Sequence, residues 1–439
     1  MLTDAHHTTG TQRIFFDVTE TSLKNYGTGI QRAVTEILRG LGEISDETIS
    51  IVPVKITKPR AGGVNLTMVR ATVFGGLDPT VPTDFLEPAS PNGQMEQTAR
   101  ERMGSRLYGM GASIWNSLAS GPFSFATDLR ASNFIADNLV SWIRSRIISP
   151  ERPAHIVLQA QSNDFLLICD SYWGRGPEDF LGLIETTKIV RKTVLLVHDV
   201  IHLSHPDLVQ AKSSRDFNKY ATQLYESVDE ICFISEFSKK SFLSFFPQHL
   251  SKAGPVIHLA PTKFILPETA IVERPPNSIV CLGTLDSRKN ISFVLDWFEL
   301  FGSDWILTLV GRPGWDSKSL KSRLLALTQK HSNLHWRQNA NDELLAGILS
   351  SHVIGLAPSS LEGFGLPLVE FSNFGMKVVA NDIPVFREVA PKGTIFFQSE
   401  SLEELQKCLL LARISPPVEP VRRSWADVAA DLQAELQLH

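Results

Sequence analysis

No Asp-x-Asp occurs anywhere in the 439-residue chain, so no pair of alternating aspartates is at hand to hold a metal–diphosphate complex. Gly-x-Gly recurs, but never with a third glycine three residues on, which removes the dinucleotide fingerprint. There is no Gly-Lys-Ser/Thr phosphate loop either. An excess of positive charge is also lacking: 42 Lys and Arg stand against 47 Asp and Glu, a net charge of −5. That balance gives no global field for nucleic acid, although a local basic patch can still meet a phosphate or an anionic lipid. Cysteine is scarce. The four residues Cys169, Cys232, Cys281 and Cys408 are isolated, three of them in apolar runs, which reads as core packing in a reducing compartment. No apolar run reaches the ~18 residues of a membrane span. Residues 1–13, MLTDAHHTTGTQR, lack the apolar stretch of a signal peptide, and the expected location is cytoplasmic.

What is present is a large apolar inventory. With 43% apolar and 20% charged residues over this length, the chain reads as globular with two domains. It opens with a strand, RIFFDVT, a loop holding Gly27 and Gly29, and an amphipathic helix, GIQRAVTEILRGL, followed by a strand IVPVKI. Residues of about 59–150 are irregular and rich in Gly, Pro, Ser and Arg. Short Val/Ile/Leu runs then return in HIVLQA, KTVLLVHDV and EICFIS and read as buried parallel strands. Prolines cluster over 251–277, where a linker is expected. A second series follows in SIVCLGTL, WILTLVG, NLHWRQ, VIGLAPSS, KVVAND and TIFFQ, most of them separated by helix-sized segments. The pattern predicts two doubly wound, Rossmann-like α/β domains in tandem, facing a central cleft, with ligands beyond the carboxyl ends of the strands. The boundaries read as 1–255, 256–420 and a final helix at 421–439.

Four stretches carry groups capable of chemistry. In SSLEGFGLPLVEFSNFG, Glu362 and Glu370 flank Gly363 and Gly365, which precede a helix with Pro367 in its first turn. Free backbone N–H groups and the helix dipole there favour an anion. Paired glycosidase carboxyls lie about 5–9.5 Å apart, whereas eight residues of helix would separate these two by about 12 Å. The spacing therefore disfavours an acid–base pair; it leaves open two carboxylates accepting polyol hydroxyls, or two incidental acids. In CLGTLDSRKN, Arg288 and Lys289 put a guanidinium fork beside an ammonium, which suits a diphosphate or a solvated helix start. In LLVHDVIHLSHPD, His198, Asp199, His202 and His205 offer a metal site, a single functional histidine, or packing; Pro206 breaks the helix that would align them. In NYGTGIQR, Gly27 and Gly29 again precede a helix.

Together these stretches resemble the retaining glycosyltransferases of family 4, which have the GT-B fold. SSLEGFGLPLVEFSNFGMKVVANDIPVFREVA resembles that family's Glu-x7-Glu signature, GTLDSRKN its Gly-Thr-x-x-x-Arg-Lys-Asn segment, and VHDVIHLSHPD its His-Asp segment. TGIQRAVTEI is similar to the glycine loop of bacterial surface-polysaccharide members, and SWADVAADL to the usual final helix, which crosses back to the first domain. The likeness spans residues 13–35 and most of 193–439, but not about 59–150. It implies a metal-independent hexosyltransferase whose co-substrate is a nucleotide sugar, GDP-mannose first among the choices, with no other cofactor. Arg288 and Lys289 would hold the diphosphate, with Gly283 beside them. Glu362 and the N–H groups of Gly363, Phe364, Gly365 and Leu366 would hold the sugar and distal phosphate, and Glu370 the ribose. His198 would reach the donor sugar; Gln338 and Asn339 would line the base loop; Gly27, Thr28 and Gly29 would line the phosphate or acceptor side. The implied acceptor is a lipid-linked oligosaccharide of lipopolysaccharide, capsule or exopolysaccharide assembly at the inner membrane face. Residues 100–119, with Arg102, Arg106, Tyr108 and Trp115, are a docking candidate for that membrane. Asp286 and Ser287 replace the commoner Glu-Pro, and Asn373 and Phe374 replace smaller residues, without removing a charged donor contact.

Overall fold

The computed structural model describes residues 12–23, 29–45, 48–58, 63–69, 157–264, 274–315 and 317–437. The chain divides into two compact units, residues 1–80 with 156–439, and residues 81–155. The second unit lies wholly outside the described residues, as do the docking candidate 100–119, Gly27 and Thr28.

In the first sheet β1 (Gln12–Asp17) is followed by α1 (Gly29–Ile44), β2 (Ile49–Thr57), β3 (Asn65–Met68), β4 (Val157–Leu158) and β5 (Phe165–Ile168). Then come α2 (Pro177–Thr187), β6 (Lys192–Val197), the short α3 (Ile201–Ser204), α4 (Ala211–Ser227), β7 (Glu230–Phe233), α5 (Glu236–Phe245) and β8 (Ala253–Val256). The strand order is β4-β3-β2-β1-β5-β6-β7-β8. Phe15 of β1 lies opposite Val52 of β2 on one side and Leu166 of β5 on the other, all three strands parallel. Successive side chains enter opposite faces: Ile14 and Phe16 join one buried cluster and Phe15 the other. Helices cover both faces, which is why these strands read as unbroken apolar runs rather than alternating ones.

The second sheet runs β9 (Ser278–Leu282), α6 (Ile291–Phe301), β10 (Ile306–Val310), α7 (Lys318–Lys330), β11 (Leu334–Arg337), α8 (Asp342–Ser350) and β12 (Ile354–Ala357). It closes with α9 (Leu366–Asn373), β13 (Lys377–Asn381), α10 (Pro384–Val389), β14 (Ile395–Phe397) and α11 (Leu402–Ile414). All its strands are parallel, in the order β11-β10-β9-β12-β13-β14. Two doubly wound α/β domains are thus present, as the sequence predicts. The last helix, α12 (Trp425–Leu436), starts with a reciprocal Ser424–Asp427 cap and buries Val428, Ala429 and Leu432 with Ala33, Ile37 and Leu41 of α1. Each buried Val or Leu there contributes roughly 1.5–3 kcal/mol. Among the described residues no helix is long and apolar enough to cross a membrane.

Three local readings need correction. Among the described residues of HIVLQA, Val157–Ala160, Val157 and Leu158 pair antiparallel to β3 instead of forming a buried parallel strand, and Val157 is exposed. Within the stretch read as irregular, Asn65–Met68 forms β3, antiparallel to β2, because Leu66 drops into the core while its neighbours stay half-exposed. The central strand β5 has no counterpart among the runs picked from sequence, although all four of its residues are buried.

Candidate functional site

In the second sheet the chain winds from β9 outward through β10 and β11, then returns to β12 on the other side of β9. The loops leaving β9 and β12 therefore diverge from neighbouring strands, the switch point at which open α/β sheets bind ligands. The β9 loop begins at Gly283, whose N–H donates to the Val310 carbonyl at 2.9 Å, and contains the short turn Ser287–Lys289. Ser360, in the β12 loop, ties the two loops together through its N–H, 2.9 Å from the Arg288 carbonyl. Asn381 at the end of β13 donates to the Ser359 carbonyl at 3.0 Å and steadies the same loop.

This stitching places Arg288, Lys289 and Glu362 in one cluster. Arg288 Nη1 lies 2.9 Å from Glu362 Oε2, Lys289 Nζ donates to Oε1, and Ser359 Oγ donates to Oε1 at 2.8 Å. Leu282, Ala357, Gly365, Leu368 and Phe386 line a small pocket with Lys289, Ser359 and Glu362. Burial pushes the Glu362 carboxyl up, but Lys289 and Arg288 outweigh it and hold the group down at about 2. Burial lowers the Lys289 pKa, only partly offset by Glu362. For Arg288, burial is outweighed by Glu362, Asp199 and Asp286, which raise it.

The depressed Glu362 value carries a pH dependence with a definite sign. A carboxylate that titrates at about 2 when folded and near its ordinary 4.5 when unfolded stabilises the fold fully above 4.5. That contribution, on the order of 3 kcal/mol, is lost as pH falls from 4.5 towards 2. The expected result is a melting-temperature gap between wild type and Glu362→Gln that is widest near neutrality and narrows as pH falls from 4.5 towards 2; a gap independent of pH would contradict it.

Beside this cluster α9 begins with Gly365 as its N-cap, at φ 100°, and Pro367 in the first turn; no side chain caps it. A Cβ at Gly365 would lie 2.5 Å from the Phe386 ring and would strain the left-handed backbone besides. The first N–H groups and the positive end of the helix dipole are thus left for an anion next to Lys289. Phe364 and Leu366 bury their side chains in a cluster shared with Ile234, Ile257 and Leu259 of the first domain and the chain after it.

Across the domains, His198 directly follows β6. Its Nε2 lies 2.7 Å from the Cys169 carbonyl, which only accepts, so Nε2 carries the proton and Nδ1 is the ring's acceptor. Burial lowers the His198 pKa and keeps the imidazole neutral at pH 7. This turn meets the β12 loop through two serines: Ser235 Oγ donates to the Gly363 carbonyl at 2.7 Å, and Ser238 Oγ to the His198 carbonyl at 2.9 Å. Glu388 of α10 caps α5 of the first domain, accepting from the N–H groups of Glu236 and Phe237 at 2.6 and 3.0 Å. A Cβ at Gly363 would lie 2.5 Å from the His198 carbonyl oxygen. Gly363→Ala is therefore expected to part the two loops, lowering kcat/KM about tenfold or more while leaving the melting temperature within a few degrees. An unchanged kcat/KM would mean the contact is incidental. His202 stacks on Phe217 with ring centroids 4.8 Å apart and feels the charges of Asp199 and Arg288, and His205 is exposed.

Glu370, one turn into α9, is 1% exposed. Its Oε1 accepts from Arg32 Nη1 at 2.9 Å and from Thr262 Oγ1 at 2.8 Å. Arg32, in the first turn of α1, also lies 3.8 Å from Asp342. Sequence reading placed Glu370 but missed Arg32, Thr262, Ser359, Ser235 and Ser238. The only local signal for Arg32 is its place inside TGIQR, because its partner is 338 residues away. Gly29 opens α1 at the surface, with open space where a Cβ would stand. Gln338 and Asn339 are exposed in the loop after β11, two strands or about 10 Å along the sheet from β9.

Residues 267–415 match the family described as glycosyl transferases group 1. Over 234 residues, 49% of this chain and 29% of the relative, the sequence is 29% identical to the serotype-specific mannosyltransferase WbdA of Escherichia coli. Over 218 residues, 46% of this chain and 55% of the relative, it is 23% identical to O-antigen chain mannosyltransferase B of Escherichia coli. The chain thus spans under a third of the first relative and about half of the second. Among solved structures, Anabaena HepE in complex with UDP and glucose matches with a TM-score of 0.52 at 11% identity, over 97% of this chain and 95% of that one. Sucrose-phosphate synthase from Thermosynechococcus elongatus matches with a TM-score of 0.52 at 13% identity, over 96% and 94%. At such identities the likeness is one of fold, and the fold is GT-B.

Proposed function

From a chain whose residues 267–415 match the glycosyl transferases group 1 family and whose two domains have the GT-B fold, we propose a retaining, metal-independent hexosyltransferase. It moves mannose from GDP-mannose onto a lipid-linked saccharide in O-antigen or related surface-polysaccharide assembly, working against the inner face of the membrane. The observation that carries this reading is the convergence of Arg288, Lys289 and Glu362 beside an uncapped helix start at the switch point of the second sheet. That arrangement fits a sugar diphosphate: two cations for the bridging phosphates, helix N–H groups for the distal one, and a carboxylate for the sugar. Mannose and the polysaccharide acceptor rest on the relatives, which are mannosyltransferases by name.

The same geometry supports the mechanism. Glycosyl transfer breaks the bond between the anomeric carbon and the diphosphate oxygen, and negative charge grows on the leaving group. Arg288 and Lys289, held in a water-poor setting, stabilise that charge with little reorganisation. An inverting displacement needs a strong base on the opposite face of the sugar. His198 is poorly suited: its Nε2–H meets a backbone carbonyl instead of a carboxylate, and burial lowers its pKa. Glu362 is engaged by three donors and is a weaker base still. In the retaining course that the family resemblance implies, the departing diphosphate takes the acceptor proton on the face it leaves. His198 aligns the sugar from the first domain, and Glu370, oriented through Oε1 by Arg32 and Thr262, turns Oε2 to the ribose hydroxyls.

The test is a donor panel of GDP-mannose, UDP-glucose and dTDP-rhamnose against an octyl α-mannoside acceptor, with product read by mass spectrometry. Transfer from GDP-mannose above the others supports the reading. Acceptor-independent epimerisation or complete hydrolysis would instead favour a nucleotide-sugar epimerase or hydrolase on the same scaffold. Binding without turnover would favour a silent nucleotide-sugar-binding subunit.

A further inference from the structure

The chain leaves the first domain after β8 and returns to it before α12, and the two crossings are tied to each other. Arg423 Nε donates to the His258 carbonyl at 2.7 Å, and Trp425 Nε1 to the Pro261 carbonyl at 3.1 Å. Ile257, Leu259 and Ala260 are buried in one cluster with Trp425 and with Phe364 of the β12 loop. Covalent crossings and buried apolar contacts hold the domains together on this side.

The start of α5 meets the second domain differently, through groups that water can satisfy. Ser235 Oγ and Ser238 Oγ both donate to the Gly363 carbonyl, at 2.7 and 3.2 Å. Glu388 of α10 accepts from the N–H groups of Glu236 and Phe237, and Phe237 packs against the cluster that holds Val385 and Phe386. A carboxylate at a helix start is favoured by the helix dipole as well as by the two amides. Hydroxyls, amides and a carboxylate exchange these bonds for water at little net cost, so this is the side on which the domains part.

His258 joins the two sides. Its carbonyl is fixed by Arg423, and its Nε2 donates to Glu388 Oε1 at 2.8 Å, because a carboxylate only accepts. The histidine thus holds Glu388 ready while α5 comes and goes. The loop gripped by α5 is the one given the sugar and distal phosphate above, and its Phe364 ring lies 6.0 Å from the His258 ring. A nucleotide on that loop cannot leave freely while α5 sits on Gly363.

Resting on the nucleotide-sugar reading of the site, we propose that the start of α5 is a latch between the domains, with Glu388 as its catch, and that its opening sets the rate at which the nucleoside diphosphate product leaves. Opening steps of this kind limit turnover in many enzymes. The competing role for Glu388 is a fixed helix cap, which affects stability alone.

The test loads the full chain with tritiated GDP, chases with unlabelled GDP, and follows release by rapid filtration. Glu388→Gln keeps an acceptor but loses the charge, and its off-rate should rise about threefold to tenfold. His258→Phe keeps a ring beside Phe364 but frees the carboxylate, and should raise the off-rate about twofold to fivefold. Leu327→Ala, in α7 at the opposite edge of the second sheet, should lower the melting temperature and leave the off-rate at its wild-type value. A wild-type off-rate in Glu388→Gln, or an equal rise in Leu327→Ala, would overturn the latch in favour of a fixed cap. Should Glu388→Gln fail to fold, His258→Phe decides by the same comparison. A wild-type chain that binds no GDP contradicts the nucleotide reading and the latch with it, whereas a chain that binds GDP and releases it at one rate in every variant contradicts the latch alone.

Discussion

Lys289→Ala is expected to lower kcat about 10²- to 10³-fold while changing the KM for GDP-mannose far less. The reason is where the charge grows. Both the bound sugar nucleotide and the transition state present a diphosphate to Lys289, but only the transition state carries the extra negative charge of the breaking bond. An interaction that strengthens along the reaction appears in kcat; one equal in both states appears in KM. Lys289 is the more enclosed of the two cations, its side chain 12% exposed against 25% for Arg288, so its field is less screened. Arg288→Ala should follow the same pattern with a smaller loss, since Lys289 remains. Steady-state kinetics of the two variants check this. A loss confined to KM would mean that the pair holds the ground-state nucleotide only.

Glu362→Gln is expected to reveal a counter-ion. In the unliganded protein this carboxylate is the shared partner of Arg288 and Lys289, and it is 8% exposed. Removing one member of a buried ion pair leaves charge without compensation and costs roughly 3–5 kcal/mol. The glutamine keeps the shape and one acceptor, so the loss is electrostatic and not a cavity. A diphosphate supplies the missing charge, and GDP should therefore raise the melting temperature of Glu362→Gln more than that of wild type. Differential scanning fluorimetry with and without GDP measures both effects. Equal shifts in the two proteins would show that Glu362 does not balance the cations, and the site would have to be redrawn around Arg288 and Lys289 alone.

How much of this was legible beforehand follows from the range of each interaction. The strand runs SIVCL and IGLA, the glycines before α9, and Arg288 beside Lys289 are local patterns, and all were readable. That Arg288 and Glu362 would be 2.9 Å apart follows from the order of β9 and β12, which the doubly wound pattern predicted in outline only. The Arg32–Glu370 pair joins the first helix of one domain to a buried acid in the other, and no periodicity encodes it. Strand β5 escaped notice because it is four residues long and its partner, β1, lies about 150 residues earlier. Strand β8 hid in a proline-rich stretch because Pro255 sits where the sheet ends and no further strand asks for its missing N–H.

The most direct measurement of the central claim is the anomeric configuration of the first product formed. GDP-mannose and octyl α-mannoside are incubated with the chain, and the new linkage is read by NMR before appreciable conversion. Retaining transfer predicts a new α-mannosidic linkage and its one-bond carbon–hydrogen coupling, with GDP released in equal amount. A β linkage, or GDP released without any disaccharide, would contradict it.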